Sequence, residues 1–145
     1  IIADLNEPLP FLDNYADAAF LFSVIYILAS PVKTLREINR ILKPGGRLFI
    51  TSPFVFNEAK EPSDYRRFTS EGLEKLFKES GFNNYFITPV GERFSAAVYL
   101  ISPFLLFWPI KFLFYALAIG LDRVIPKKLK LKQPCPIGHF LEAIK

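Results

Sequence analysis

The stretch Leu35-Arg36-Glu37-Ile38-Asn39-Arg40-Ile41-Leu42-Lys43-Pro44-Gly45-Gly46-Arg47-Leu48-Phe49-Ile50-Thr51 decides the fold. Val32, Leu35, Ile38, Ile41 and Leu42 recur at helical spacing, while Lys33, Arg36, Glu37 and Arg40 fall elsewhere on the wheel. Ser30-Pro31 starts this helix, with Ser as N-cap and Pro at the first helical position. Lys43-Pro44-Gly45-Gly46 stops it, because Pro cannot continue a helix and the glycines allow positive φ. Arg47 to Thr51 follows as a strand with Leu48-Phe49-Ile50 at its apolar centre. Upstream, Asp13-Asn14 is a turn signal, and Ala18 to Phe22 is an apolar run of buried-strand length. Downstream, Thr69 or Ser70 caps a second helix with the stripe Leu73, Leu76 and Phe77, closed by Gly81. Asn84 to Thr88 and Phe140 to Ile144 are further strand candidates.

Strand, helix, strand, helix, strand is the alternation of an α/β fold with crossover connections. Ligands of such sheets sit beyond the carboxyl ends of the strands. Asp4 to Asn6, Ser23 to Tyr26 and Ser52 to Phe56 therefore hold the candidate site residues. The chain has 145 residues, the size of one domain. Its 51% apolar content and single cysteine, Cys135, exclude a disordered chain and a disulfide-stapled miniprotein. With no methionine and Ile1 first, it reads as a piece of a longer protein, and Ile1 to Pro10 lacks the features of a signal peptide. Lys plus Arg is 18 against 14 Asp plus Glu, and Lys127, Lys128, Lys130 and Lys132 account for the excess of four. A nucleic-acid partner, which asks for cations spread over a face among aromatics, is not expected. The lysine cluster follows the most apolar stretch of the chain and suits anionic lipid headgroups.

Several of these segments resemble the class I S-adenosylmethionine-dependent methyltransferases, type 11 group. Ala3-Asp4-Leu5-Asn6-Glu7-Pro8-Leu9-Pro10-Phe11 is similar to the segment after their third strand. Asp17-Ala18-Ala19-Phe20 resembles their fourth strand, and Leu35 to Gly46 their helix and turn before the fifth. Asp64-Tyr65-Arg66-Arg67-Phe68-Thr69, followed by Gly81-Phe82, resembles the next segment and helix. The resemblance covers residues 1–92 and a last strand at 137–145. It implies the C-terminal part of a Rossmann-like methyltransferase sheet, with the Gly-rich loop and the ribose-binding acid lying before Ile1. A His that members of the group often carry after the fourth strand is Ile27 here.

The resemblance implies S-adenosylmethionine as cofactor, with Asp4 accepting from the adenine amino group and the Leu5 N–H reaching a ring nitrogen. Asp4 alternatively is a solvated turn residue. Ser23 would face the methionine part of the cofactor, or bond its own backbone as a strand-end hydroxyl. Tyr26, Phe54 and Tyr65 could line an acceptor pocket or belong to the core. Arg66 and Arg67 could clamp an anionic acceptor group through bidentate bonds, or form a solvated face. His139, the one histidine, reads as structural, and no residue stands out as a catalytic base. No Cys/His cluster or nucleophile–base pair is visible, which argues against a metal site and covalent catalysis.

Phe94 to Leu121 holds one charge, Lys111, and 15 of its 28 residues are Val, Ile, Leu or Phe. As one helix it would reach roughly 42 Å at ~1.5 Å per residue, enough to cross a bilayer core of about 30 Å. The resemblance implies that the last strand, Phe140 to Ile144, pairs antiparallel with Asn84 to Thr88, which would return the chain to the side it left and exclude one crossing. Pro103 and Pro109 break the run into Phe94 to Trp108 and Ile110 to Leu121. The expectation is a bent helical pair in one leaflet, with Trp108, Tyr99 and Tyr115 at interfacial depth and Lys127, Lys128, Lys130 and Lys132 on the headgroups. The alternative is an amphipathic lid on the domain or a subunit interface. Residues 1–92 are thus expected to be the C-terminal half of a methyltransferase domain, 93–136 an apolar and basic helical insertion, and 137–145 the last strand. The function expected is methyl transfer to a small, amphipathic or lipid-like acceptor, cytoplasmic and peripheral or monotopic at a membrane surface. The alternatives are a non-catalytic membrane-associated module on the same fold, and a soluble enzyme whose apolar segment is a dimer interface.

Overall fold

The computed structural model describes residues 1–59 and 63–145. They form two units, one of residues 1–53, 58–88 and 139–145, the other of residues 54–57 and 89–138. The sheet comprises β1 (Ala16–Phe22), β2 (Leu42–Pro53), β3 (Asn84–Val90) and β4 (Gly138–Ile144), in the order β1-β2-β4-β3. α1 (Pro31–Ile41) is the crossover between β1 and β2, which are parallel and paired from Ala18 opposite Arg47 to Phe22 opposite Thr51. β4 runs antiparallel to β2. At its end Gly45 N–H donates to the Lys145 carbonyl (3.1 Å), and Lys145 N–H donates to the Gly46 carbonyl (3.0 Å). The expected last strand therefore lies beside the Asn84 to Thr88 segment, between β2 and β3.

One face of the sheet is covered. Leu35, Ile38 and Ile41 of α1 pack with Leu48 and Ile50 of β2 and with Leu141 and Ala143 of β4. α2 (Ser70–Glu79) adds Leu73, Leu76 and Phe77 to the same core. Each such leucine, isoleucine or phenylalanine stabilises the fold by roughly 1.5–3 kcal/mol on burial. Thr69 is the cap of α2, its Oγ1 accepting from Gly72 N–H (3.1 Å).

Three local expectations are corrected. Ser30 makes no side-chain cap bond to α1; its carbonyl accepts from Thr34 N–H instead (3.2 Å). Lys43-Pro44-Gly45-Gly46 is not a loop between elements, because β2 already pairs at Leu42, opposite Ala16, and bulges before Arg47. Gly45 takes φ 78° in this bulge, and a Cβ on Gly46 would lie 2.9 Å from the Lys43 carbonyl oxygen, so both positions need glycine. The Ala18 to Phe22 run is not a buried strand: only Leu21 is buried, while Phe20 and Phe22 are 60% and 57% exposed. Their face carries a stacked aromatic row, Phe20 on Phe49 (5.2 Å) and Phe49 on Phe140 (6.3 Å).

The second unit contains α3 (Arg93–Ile101), a 3-10 turn (Ser102–Phe104), α4 (Trp108–Val124) and α5 (Lys127–Lys132). The prolines act differently from expectation. Pro103 lies in the 3-10 turn, while Pro109 sits in the first turn of α4, where no N–H is needed. Trp108 thus opens the second helix instead of closing the first, and the lysines lie on the short helix α5. Among the described residues no helix is long and apolar enough to cross a membrane.

Candidate functional site

α1 positions the first part of the site. Thr34, Glu37 and Arg40 recur every three residues and reach the loop of residues 4–13. Thr34 Oγ1 donates to the Leu5 carbonyl (2.7 Å). Leu9 N–H donates to Glu37 Oε2 (3.1 Å). The Arg40 guanidinium donates to the carbonyls of Leu9 (3.1 Å) and Phe11 (2.9 Å) and to Asp13 (2.7 Å). It also bonds Glu37 at 2.8 Å and so holds that carboxyl below its usual range. Asp4 shapes its own turn, with Oδ1 accepting from Asn6 N–H (2.9 Å) and Asn6 Nδ2 (3.1 Å). Asn6 Oδ1 in turn accepts from Ala29 N–H (3.2 Å), tying this turn to the loop after β1.

That second loop leaves the carboxyl end of β1 at Ser23, a non-glycine residue with φ 53°. Ser23 N–H donates to the Thr51 carbonyl (3.1 Å) and Oγ1 (2.9 Å), bonds that hold the left-handed conformation. Residues 63–66 are fastened to the same loop. Tyr65 N–H donates to the Tyr26 carbonyl (3.2 Å), and Arg66 Nη1 donates to the Leu28 carbonyl (2.6 Å). Asp64 accepts from Arg67 and from Ala59 N–H, and the Arg67 bond is the main reason its carboxyl is held down to about 2.

These three segments enclose a pocket of about 410 Å³. Leu5, Val24, Ile27 and Leu28 give it apolar walls, with Asp4 and Tyr65 on its lining. Leu5 N–H makes no hydrogen bond among the described residues. Apolar walls with an acceptor and a spare backbone donor fit a purine ring.

The expected site residues separate on this geometry. Asp4, Leu5 and Tyr65 line one pocket. Ser23 adjoins it through Val24 but is not part of its lining. Tyr26 is buried, with the Arg67 guanidinium 5.2 Å above its ring, and is a packing residue. Arg66 and Arg67 do not present a free anion clamp, because the chain's own carbonyls and Asp64 occupy them. Ser52 is buried, whereas Phe54 and Phe56 belong to the second unit, where Phe56 stacks on Tyr99 (5.8 Å). His139 is buried against Ser70, with Nε2 3.1 Å from Oγ, and burial lowers its pKa. Sequence reading missed Thr34 and Glu37 as positioning residues. The three-residue spacing of Thr34, Glu37 and Arg40 beside the apolar stripe was the available signal.

Residues 1–50, about a third of the chain, match the methyltransferase domain family. The chain is 37% identical over 49 residues to the tRNA U34 carboxymethyltransferase of Campylobacter curvus, covering 34% of this chain and 16% of that protein. It is 32% identical over 75 residues to the ubiquinone/menaquinone biosynthesis C-methyltransferase UbiE of a Ruegeria species, covering 52% of this chain and 25% of that one. The chain thus spans a quarter or less of these curated relatives. In three dimensions it resembles a SAM-dependent methyltransferase from Archaeoglobus fulgidus, with a TM-score of 0.62, 15% identity, and coverage of 100% of this chain and 66% of that one. Residues 1–50 are similar to the methyltransferase domain family, and the α/β fold of the chain is similar to that of the Archaeoglobus fulgidus protein.

Proposed function

We propose that the protein transfers a methyl group from S-adenosylmethionine, and that the pocket between residues 3–6, the loop 24–29 and Tyr65 receives the adenosine end. The observation that carries this reading is the convergence of Asp4 and an unpaired Leu5 N–H on one apolar-walled pocket, at the end of the sheet where β1 terminates. Bound there, S-adenosylmethionine supplies an activated sulfonium methyl. The chain's part is to bind and orient. Asp4 accepts from an exocyclic amino group, Leu5 N–H donates to a ring nitrogen, and Val24, Ile27 and Leu28 cover the ring faces. Ser23 serves at the strand tip, and Tyr65 forms a wall toward the acceptor. Arg66 and Arg67 fix the loop and Tyr65 rather than touching the acceptor.

The acceptor is read as small and amphipathic, met at a membrane surface by a peripheral or monotopic protein of the cytoplasm. The exposed apolar side chains of the second unit, followed by Lys127, Lys128, Lys130 and Lys132, support that part. Calorimetric titration of the protein with S-adenosylhomocysteine tests the nucleoside pocket. Binding should weaken at least ten-fold in Leu5→Pro, which deletes the N–H, and in Val24→Trp, which fills the cavity. Binding indifferent to both variants places the cofactor elsewhere and sinks the reading.

A further inference from the structure

We propose that the second unit docks on an anionic lipid surface, its apolar hairpin entering the acyl layer while a headgroup phosphate sits between Arg123 and Lys130. This rests on the membrane-surface part of the reading above and adds to it a built seat for one lipid.

α4 is apolar around nearly its whole circumference. Phe112, Leu113, Leu117 and Val124 are exposed, and its buried residues are Ala118 and Asp122. A helix apolar on all sides is ordinarily covered on all sides. The connection into it is equally bare, with Phe104 83%, Leu106 93% and Trp108 75% exposed.

The charge pattern selects the covering medium. Residues 94–110 carry no charge, whereas Arg123, Lys127, Lys128, Lys130 and Lys132 gather at the other end of α4 and on α5. An end with one charge, Lys111, whose long side chain can reach toward water, and a cationic base match an acyl layer bounded by phosphates. A second copy would bring the same cationic base and leave it uncompensated.

A cavity of about 260 Å³ lies at that base, lined by Gly91, Ser95, Ile119, Asp122, Arg123 and Lys130. Its acid is already satisfied. The buried Asp122 carboxylate accepts from Phe94 N–H (2.9 Å), Ser95 N–H (3.1 Å) and the Ser95 hydroxyl, at the positive end of α3. Arg123 and Lys130 have no ion-pair partner among the described residues. The uncompensated charge of the cavity is therefore positive, and a guanidinium with an ammonium suits a phosphate.

The test mixes the protein with vesicles of phosphatidylcholine, with and without phosphatidylglycerol. Flotation reads binding, and the fluorescence of Trp108, the one tryptophan of the sequence, reads insertion. Binding and a blue shift are expected with phosphatidylglycerol only. Simple surface attraction loses about five-fold in partitioning per cation removed. Arg123→Gln with Lys130→Gln should lose clearly more than Lys127→Gln with Lys128→Gln, although each pair removes two charges. Equal losses overturn the seat. Binding that ignores phosphatidylglycerol overturns the docking, as does a Trp108 signal shielded by self-association and unmoved by vesicles. Titration with S-adenosylhomocysteine is read on the same samples. Failed vesicle binding with intact nucleoside binding removes this inference alone.

Discussion

Thr34→Val removes one hydroxyl and nothing else from the support of the candidate site. Thr34 is 2% exposed, and its Oγ1 donates to the Leu5 carbonyl at 2.7 Å. Its second contact, to the Ser30 carbonyl at 3.4 Å, is too long to contribute much. Valine keeps the branched Cβ, so α1 itself is little affected. The loss is one neutral hydrogen bond of ~1 kcal/mol plus part of the cost of an unpaired carbonyl, which for the half-buried Leu5 comes to about 1.5 kcal/mol in all. In a chain of this length that lowers Tm by about 4–5 °C. The Leu5 N–H loses its fixed position too, so S-adenosylhomocysteine should bind three- to ten-fold more weakly, on the scale of ~1.4 kcal/mol per decade. Thr34→Ser keeps the hydroxyl and should lose under about 1 kcal/mol. Thermal unfolding and calorimetry of the pair decide the matter. A valine variant as stable as the parent, beside a weakened serine variant, would refute the hydrogen-bond argument in favour of methyl packing.

Arg66→Met removes the short bond to the Leu28 carbonyl, and a loss of roughly 1.5–3 kcal/mol is expected, with faster amide exchange at Tyr65 as the local signature. Unchanged exchange there would mean that Arg66 does not fasten the loop. His139 is held neutral by burial, so the unfolded chain binds its proton first as pH falls; the stabilisation is full above the ordinary value of about 6.5 and is lost as pH drops below it. Urea midpoints at pH 7.5 and 5.5 should differ in the parent, and the difference should shrink in His139→Gln. Gly91→Ala forces an alanine to φ +74° and sets its Cβ 2.9 Å from Ile137 Cδ1, at a cost of at least 1–2 kcal/mol for the left-handed backbone. Proteolysis of the second unit should accelerate, and an unaltered cleavage rate would count against the constraint.

The α/β alternation was legible because apolar periodicity is strong in α1 and α2, where Leu35, Ile38, Leu73 and Phe77 all reach the core. The exposure of β1 was not, since Ala18 to Phe22 has the composition of a covered strand and burial depends on neighbours that a run of residues does not name. The glycine pair was read as a helix stop, which it is only indirectly: pairing at Leu42 precedes it, and the bulge absorbs it. Asp4 and Leu5 were named through resemblance and Tyr65 as a candidate pocket aromatic, and the three line one pocket. The arginines were open to two readings because residue type shows capacity for an anion but not occupation. Arg66 spends its donors on carbonyls, and backbone acceptors leave no trace in a sequence.

The excursion from Gly91 to Pro136 starts and finishes within a single hydrogen bond, Ile137 N–H to the Val90 carbonyl at 2.9 Å. Whatever hangs between those two residues can be lengthened, trimmed or exchanged without shifting a strand partner. A doorway this narrow lets the furniture beyond it be changed while the frame of the sheet stays untouched.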